Sequence, residues 1–206
     1  MSQQAPSEIP SLNLSRILRG GGDVSGSGEV TSLELVRDPV HEGEPPELIN
    51  IPLAGSVKWR ASVTHVGGDE FWLAGRVEGT AVMECARCLT PTEVEVKGRL
   101  ESLMRHKGGV ETPRLELGED EQDVIVFGDP TVDLSPFLAE AFAVEMPPTV
   151  LHAPDCRGLC ALCGSDLNGV PEGTCAVGRD DCPHTEHGKA LDPSNPFAKL
   201  RGLVDE

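Results

Sequence analysis

The segment Cys156-Arg157-Gly158-Leu159-Cys160-Ala161-Leu162-Cys163-Gly164 carries three thiols close together, and Cys175 and Cys182 follow it. In a CxxC turn the backbone curls so that two thiolates converge on one ion, and a following glycine permits the left-handed backbone of such a knuckle. Cys160 and Cys163 with Gly164 have this form. A second pair must close the tetrahedron. Cys175 and Cys182 are the nearest candidates in sequence, Cys156 is a fifth claimant, and His184 and His187 are available as substitutes.

Thiolate-rich tetrahedral sites suit Zn²⁺, so structural zinc is the expected metal. An iron–sulfur cluster uses the same residue types, and free thiols are the plainest reading, but no redox context accompanies the motif. A further pair, Cys85-Ala86-Arg87-Cys88, has the same spacing. It reads either as half of a zinc ribbon shared with Cys160 and Cys163, or as two buried thiols acting as small hydrophobes at a strand turn. A redox role is less consistent, because thioredoxin-like motifs open a helix within a βαβ unit and this stretch is β-rich.

Other chemistry is poorly supported. The chain contains no P-loop, no HExxH and no GxSxG motif. His41, His65 and His106 stand alone, while His152, His184 and His187 fall near the cysteines. A site filled by four thiolates leaves no open coordination position for hydrolysis, so the chain is read as a binding protein and not an enzyme. The rival is a metal-dependent nuclease using Glu119, Asp120, Glu121 and Asp123, although an acidic run is more often a solvated loop.

The 206 residues include 34 acidic and 17 basic side chains, for a formal net charge of −17. Such a field repels nucleic acid at long range and suits a basic partner, or simply keeps the protein in solution. DNA is not an expected partner. Arg157, Arg179, Lys199 and Arg201 offer only a sparse basic patch for direct RNA contact. The first residues lack the basic flank and apolar run of a signal peptide, and no stretch reaches the ~18 apolar residues of a membrane span. Seven cysteines in tight clusters then imply a reducing, cytoplasmic setting.

The elements that must position these residues are mostly strands. Hydrophobic content is 38%, with 23 Gly and 17 Pro, which implies a modest core and many loops. Residues 1–28 read as mostly flexible, with Leu12, Leu14, Ile17 and Leu18 suited to an alternating strand or a short helix before Gly20-Gly21-Gly22 and Gly26-Ser27-Gly28 break the chain. Strands are expected at 30–36 and 48–53. Val57, Trp59, Ala61 and Val63 alternate with Lys58, Arg60 and Ser62, the period of a half-buried strand. Gly67-Gly68-Asp69 turns a hairpin into Phe71, Leu73, Gly75 and Val77, and further strands are expected at 92–103 and 123–127, with an acidic loop at 106–122 between them.

One helix is expected over 134–146. Asp133 serves as N-cap, Pro136 fits the first turn, and Phe137, Leu138, Ala141 and Phe142 form one apolar stripe for packing on the sheet. Pro147-Pro148 stops it. Beyond residue 150, large apolar side chains almost vanish until Phe197. The expected architecture is therefore α+β: an antiparallel β domain over 29–150 with one packed helix, then a cysteine-rich zinc-binding knuckle module over 151–206 ending in a short helix. Zinc can supply on the order of 10 kcal/mol of folding free energy, compensating for the missing core.

In order and combination these motifs resemble the YceD family of large ribosomal RNA subunit accumulation proteins. The resemblance rests on Cys85-Ala86-Arg87-Cys88-Leu89 after a hairpin, Val132-Asp133-Leu134-Ser135-Pro136 opening a helix that ends at Met146-Pro147-Pro148, the run from Cys156 to Asn168, and Asp192-Pro193 leading into Pro196-Phe197-Ala198-Lys199-Leu200. It covers roughly residues 30–203. It implies a bacterial ribosome-biogenesis factor that supports accumulation or maturation of large-subunit ribosomal RNA, with a ribosomal RNA precursor or a large-subunit ribosomal protein as partner.

Overall fold

The computed structural model describes residues 9–20, 22–37, 45–118, 122–161 and 163–171. The chain divides into two compact units, Met1–Met83 with Glu93–Pro148, and Glu84–Thr92 with Thr149–Glu206.

The first unit is built on a six-stranded sheet. Its strands are β2 (Val24–Val30), β5 (Val57–Gly67), β6 (Glu70–Glu84), β7 (Pro91–His106), β8 (Arg114–Leu117) and β9 (Asp123–Phe127), in the order β2-β5-β6-β7-β9-β8. Two small sheets accompany it, β1 (Ser11–Asn13) with β10 (Thr131–Asp133), and β3 (Glu34–Arg37) with β4 (Glu47–Asn50). The pairs β2–β5, β5–β6 and β8–β9 are antiparallel, but β7–β9 is parallel, so the sheet departs there from the all-antiparallel expectation.

Alternation places Val57, Trp59, Ala61 and Val63 of β5, and Phe71, Leu73 and Val77 of β6, on the buried face. Val96, Leu100 and Met104 of β7 join the same core. Helix α2 (Ser135–Val144) contributes Phe137, Leu138, Ala139 and Phe142 to it. Leu134 occupies the N-cap position, while the Asp133 carboxylate accepts the Ser135 backbone N–H at 2.8 Å and its hydroxyl at 2.6 Å. Gly98 on β7 lets the helix come close, since a Cβ there would run into the Ala141 carbonyl.

The glycine-rich segment before residue 29 is not simply a break. It forms β1, the short helix α1 (Ser15–Leu18) and β2, and buries Leu12, Leu14 and Ile17. The glycines of β2 are there for space: a Cβ on Gly28 would sit 3.1 Å from Trp59 Nε1, and one on Gly26 only 2.6 Å from the Leu12 side chain. Small residues over a large indole hid the strand from pattern reading. The expected strand over 30–36 is interrupted at 31–33, and the expected loop at 106–122 contains β8.

In the second unit Cys85 pairs with Val150 in an isolated parallel bridge, and the Ala86 N–H donates to the Val150 carbonyl at 2.9 Å. The stretch 84–92 therefore groups with the C-terminal residues, and the simple boundary at residue 150 gives way to this two-segment unit. The expected helix around Phe197 lies outside the described residues.

Candidate metal centre

The turn after β6 is closed by its own backbone. The Leu89 N–H donates to the Cys85 carbonyl at 2.9 Å and the Cys85 N–H to the Thr90 carbonyl at 2.9 Å. Leu89 has φ +62°, a left-handed conformation that a side chain adopts only where the surroundings enforce it. This curl aims Cys85 and Cys88 the same way, as CxxC spacing predicts.

The second segment is held against that turn by two more bonds, Arg87 Nη1 donating to the Cys156 carbonyl at 2.7 Å and the Leu159 N–H to the Arg87 carbonyl at 3.1 Å, while the Cys156 N–H donates within its own segment to the Ala153 carbonyl at 3.1 Å. Cys156 and His152 are thereby brought to the two thiols of the turn.

Among the described residues, Cys85, Cys88, His152 and Cys156 present ligand atoms that all lie within 4.8 Å of one another and could hold a metal ion. The Cys85 and Cys156 sulfurs are 3.7 Å apart, and Cys88 Sγ is 3.1 Å from His152 Nδ1. In a tetrahedron with metal–sulfur bonds of about 2.3 Å, sulfurs stand about 3.8 Å apart, so the first spacing fits two ligands of one ion. The three thiols are buried and His152 is more open.

Electrostatics favour an ionised ligand here. Burial pushes the Cys85 thiol up, but hydrogen bonding to the His152 side chain and to backbone at Arg87, His152 and Cys88 outweighs it and holds Cys85 at about 5. Cys156 is pushed above its ordinary 9.0, first by burial and then by its hydrogen bonds to Cys88 and Cys85. The surroundings thus favour the thiolate at Cys85 and the thiol at Cys156.

Cys160 and Cys163 are not part of this group. They form a second knuckle, in which the Gly164 N–H donates to the Cys160 carbonyl at 2.8 Å and the Cys160 N–H to the Ser165 carbonyl at 2.8 Å. Gly164 has φ +69°, as the knuckle reading requires, and the two cysteines pack with Leu167 and Val170. Cys175 and Cys182, with His184 and His187, lie outside the described residues.

The candidate ligand that the cysteine pattern does not single out is His152, whose only sequence signal is its place near the cysteines, four residues before Cys156. Of the acidic residues considered for a nuclease, Asp123 opens β9 and is exposed, while Glu119, Asp120 and Glu121 lie outside the described residues. Arg157 donates its backbone N–H to Asn168 Oδ1 at 2.7 Å and Nη1 to the Val170 carbonyl, and Arg179, Lys199 and Arg201 lie outside the described residues. No described helix is long and apolar enough to cross a membrane.

Comparison with known proteins places this geometry in context. The family model described as large ribosomal RNA subunit accumulation protein YceD matches residues 73–204, a span that includes both cysteine segments. Uncharacterized proteins of Mycobacterium tuberculosis and Mycobacterium bovis are 35% identical over 99 residues, covering 48% of this chain and 46% of theirs. One of Mycobacterium leprae is 31% identical over 121 residues, 59% of this chain and 54% of its own. The chain spans about half the length of these relatives. No solved structure matches it.

Proposed function

This chain belongs to the YceD family of large ribosomal RNA subunit accumulation proteins, and from that premise we propose that it is a non-catalytic ribosome-biogenesis factor. It acts in the bacterial cytoplasm and supports accumulation or maturation of large-subunit ribosomal RNA by binding a pre-ribosomal particle or a basic ribosomal protein. The net charge of −17 suits a basic partner.

The ribosomal part of this reading rests on the family match, and the observation that carries its non-catalytic part is the convergence of Cys85, Cys88, His152 and Cys156 from two distant segments. Three sulfurs and one imidazole nitrogen make a closed, thiolate-rich set, the donor chemistry of structural Zn²⁺. All four positions of a tetrahedron are then taken by protein, so the ion's contribution is to fold the unit and fix its surface. Cys160 and Cys163 with Cys175 and Cys182 supply the donors for a second such ion.

The test is depletion of the protein in growing cells, followed by ribosomal RNA quantification and subunit profiles. Loss of large-subunit RNA and a deficit of large subunits, restored by the wild-type chain, is the expected result. Normal profiles after full depletion would overturn the reading. A pull-down from the same cells, with metal analysis of the purified sample, reports partner and ion together.

A further inference from the structure

The face of the six-stranded sheet opposite the core carries an arrangement that folding alone does not favour. Arg60 on β5 and Arg76 on β6 are directly opposite one another in the antiparallel register. Like charges at opposed positions destabilise a sheet. Among the described residues neither guanidinium has an ion pair or a side-chain hydrogen bond. Both are exposed.

The side chains around them are small. Ser25, Ser27, Ser62, Ala74 and Gly75 line a shallow trough of about 650 Å³ together with the two arginines, with Glu101 at its edge. A second trough of about 520 Å³ continues past Arg60 and Arg76 to Lys58, which is flanked in register by Glu29 and Glu78. Farther along β6 on the same face stands Trp72, 43% exposed and four residues from Arg76, about 13 Å along the strand.

We propose that this sheet face is a docking surface for a single RNA strand, with Arg60 and Arg76 gripping its phosphodiester backbone and Trp72 stacking on a base. The inference rests on the reading of the chain as a ribosomal RNA factor and names the contact that reading lacks. Guanidinium forks match phosphate oxygens, the serine hydroxyls add donors, and an exposed indole on the same face about 13 Å from Arg76 is a sequence-tolerant stacking platform. An acidic peptide would satisfy the arginines but leave the indole without a role. The overall charge of −17 does not prevent this. At physiological ionic strength charges beyond about 8 Å are largely screened, so close contact is set by the groups lining the troughs, where Glu29 and Glu78 flank Lys58 and Glu101 stands with Arg60 and Arg76.

The test is titration of the full-length, metal-loaded protein with a labelled single-stranded RNA of mixed sequence at several salt concentrations. Arg60→Gln and Arg76→Gln are each expected to weaken binding about fivefold at about 0.1 M salt and to lower the salt slope by about 0.7. Trp72→Ala is expected to weaken binding without changing that slope. Thermal stability serves as the second readout: each arginine variant should melt at or above the wild-type temperature, because it relieves a like-charge pair. A purely structural arginine would instead lower it. The proposal falls if the wild type does not bind the RNA, if the double variant binds as tightly as wild type, or if polyglutamate competes with RNA on equal terms. If depletion leaves ribosomal RNA unchanged while the titration succeeds, the cellular role fails and the docking surface stands.

Discussion

Cys85 Sγ lies 3.7 Å from Cys156 Sγ, although 71 positions separate the two residues in the chain. Between them run strands β7, β8, β9 and β10 and helix α2. The contact therefore closes a long loop, and closing long loops is where a cross-link or metal clip contributes most in principle. With Cys88 and His152 beside them, the sulfurs form a buried cluster whose ionised forms would repel one another without a cation.

Zinc analysis should separate the two cysteine groups. Cys85→Ser is expected to remove one equivalent of bound zinc and to expose Cys88 and Cys156 to alkylation. Cys160→Ser is expected to leave that equivalent in place, because Cys160 packs with Cys163 and Leu167. Equal loss from both variants would mean one shared site.

His152 tests the geometry from the nitrogen side. His152→Ala removes one donor of four and should weaken zinc by more than the roughly 10–100-fold that loss of a group merely supporting a ligand costs. His152→Cys should retain the ion as a four-sulfur site, because Nδ1 already stands 3.1 Å from Cys88 Sγ. Competition with a chromophoric chelator measures both. Unchanged affinity in the alanine variant would remove His152 from the ligand set.

The strands at 57–63 and 71–77 and the helix near 134–146 were legible because apolar residues fall at periods of two or 3.6, and the strand at 123–127 because its short apolar run is buried on both faces. Strand β2 was not, since Gly26 and Gly28 sacrifice pattern to make room for Trp59 and Leu12. The parallel pairing of β7 with β9 was equally hidden, as periodicity reports a strand's faces and not its neighbours. At the site, the CxxC spacing offered Cys85 and Cys88 equally as a metal-binding pair or as two buried thiols, and the structure brings them to a group that could hold an ion. Their meeting with His152 and Cys156 depends on the Cys85–Val150 bridge, a long-range contact that no local spacing encodes.

Acidity should act on the metal-free protein through Cys85. Its value falls from 9.0 to about 5 on folding, so its stabilising contribution is full above 9.0 and declines as pH falls towards about 5. Below that it is gone. Ultraviolet thiolate absorbance of the metal-free chain should therefore persist at neutral pH and disappear across a midpoint near 5, a step absent from Cys85→Ser. Because burial keeps Cys156 protonated, zinc must displace its proton, and zinc affinity should rise with pH through the neutral range.

The close approach of α2 to the sheet gives a prediction independent of any metal. A Cβ on residue 98 would collide with the Ala141 carbonyl and come within 2.8 Å of the Val77 side chain. Backbone cannot rotate away as a side-chain tip can, so Gly98→Ala must push α2 off β7 or bend the strand. Overpacking of this kind costs about 1–3 kcal/mol, enough to lower the melting temperature by several degrees. Gly108→Ala is the matched control, because nothing lies within 4 Å of the Cβ it would add. Thermal denaturation followed by circular dichroism should show the first variant destabilised and the second close to wild type, with zinc content the same in both. Equal melting of Gly98→Ala and wild type would mean that the helix has room to retreat at no cost, and that the contact at Ala141 does not set its distance from the strand.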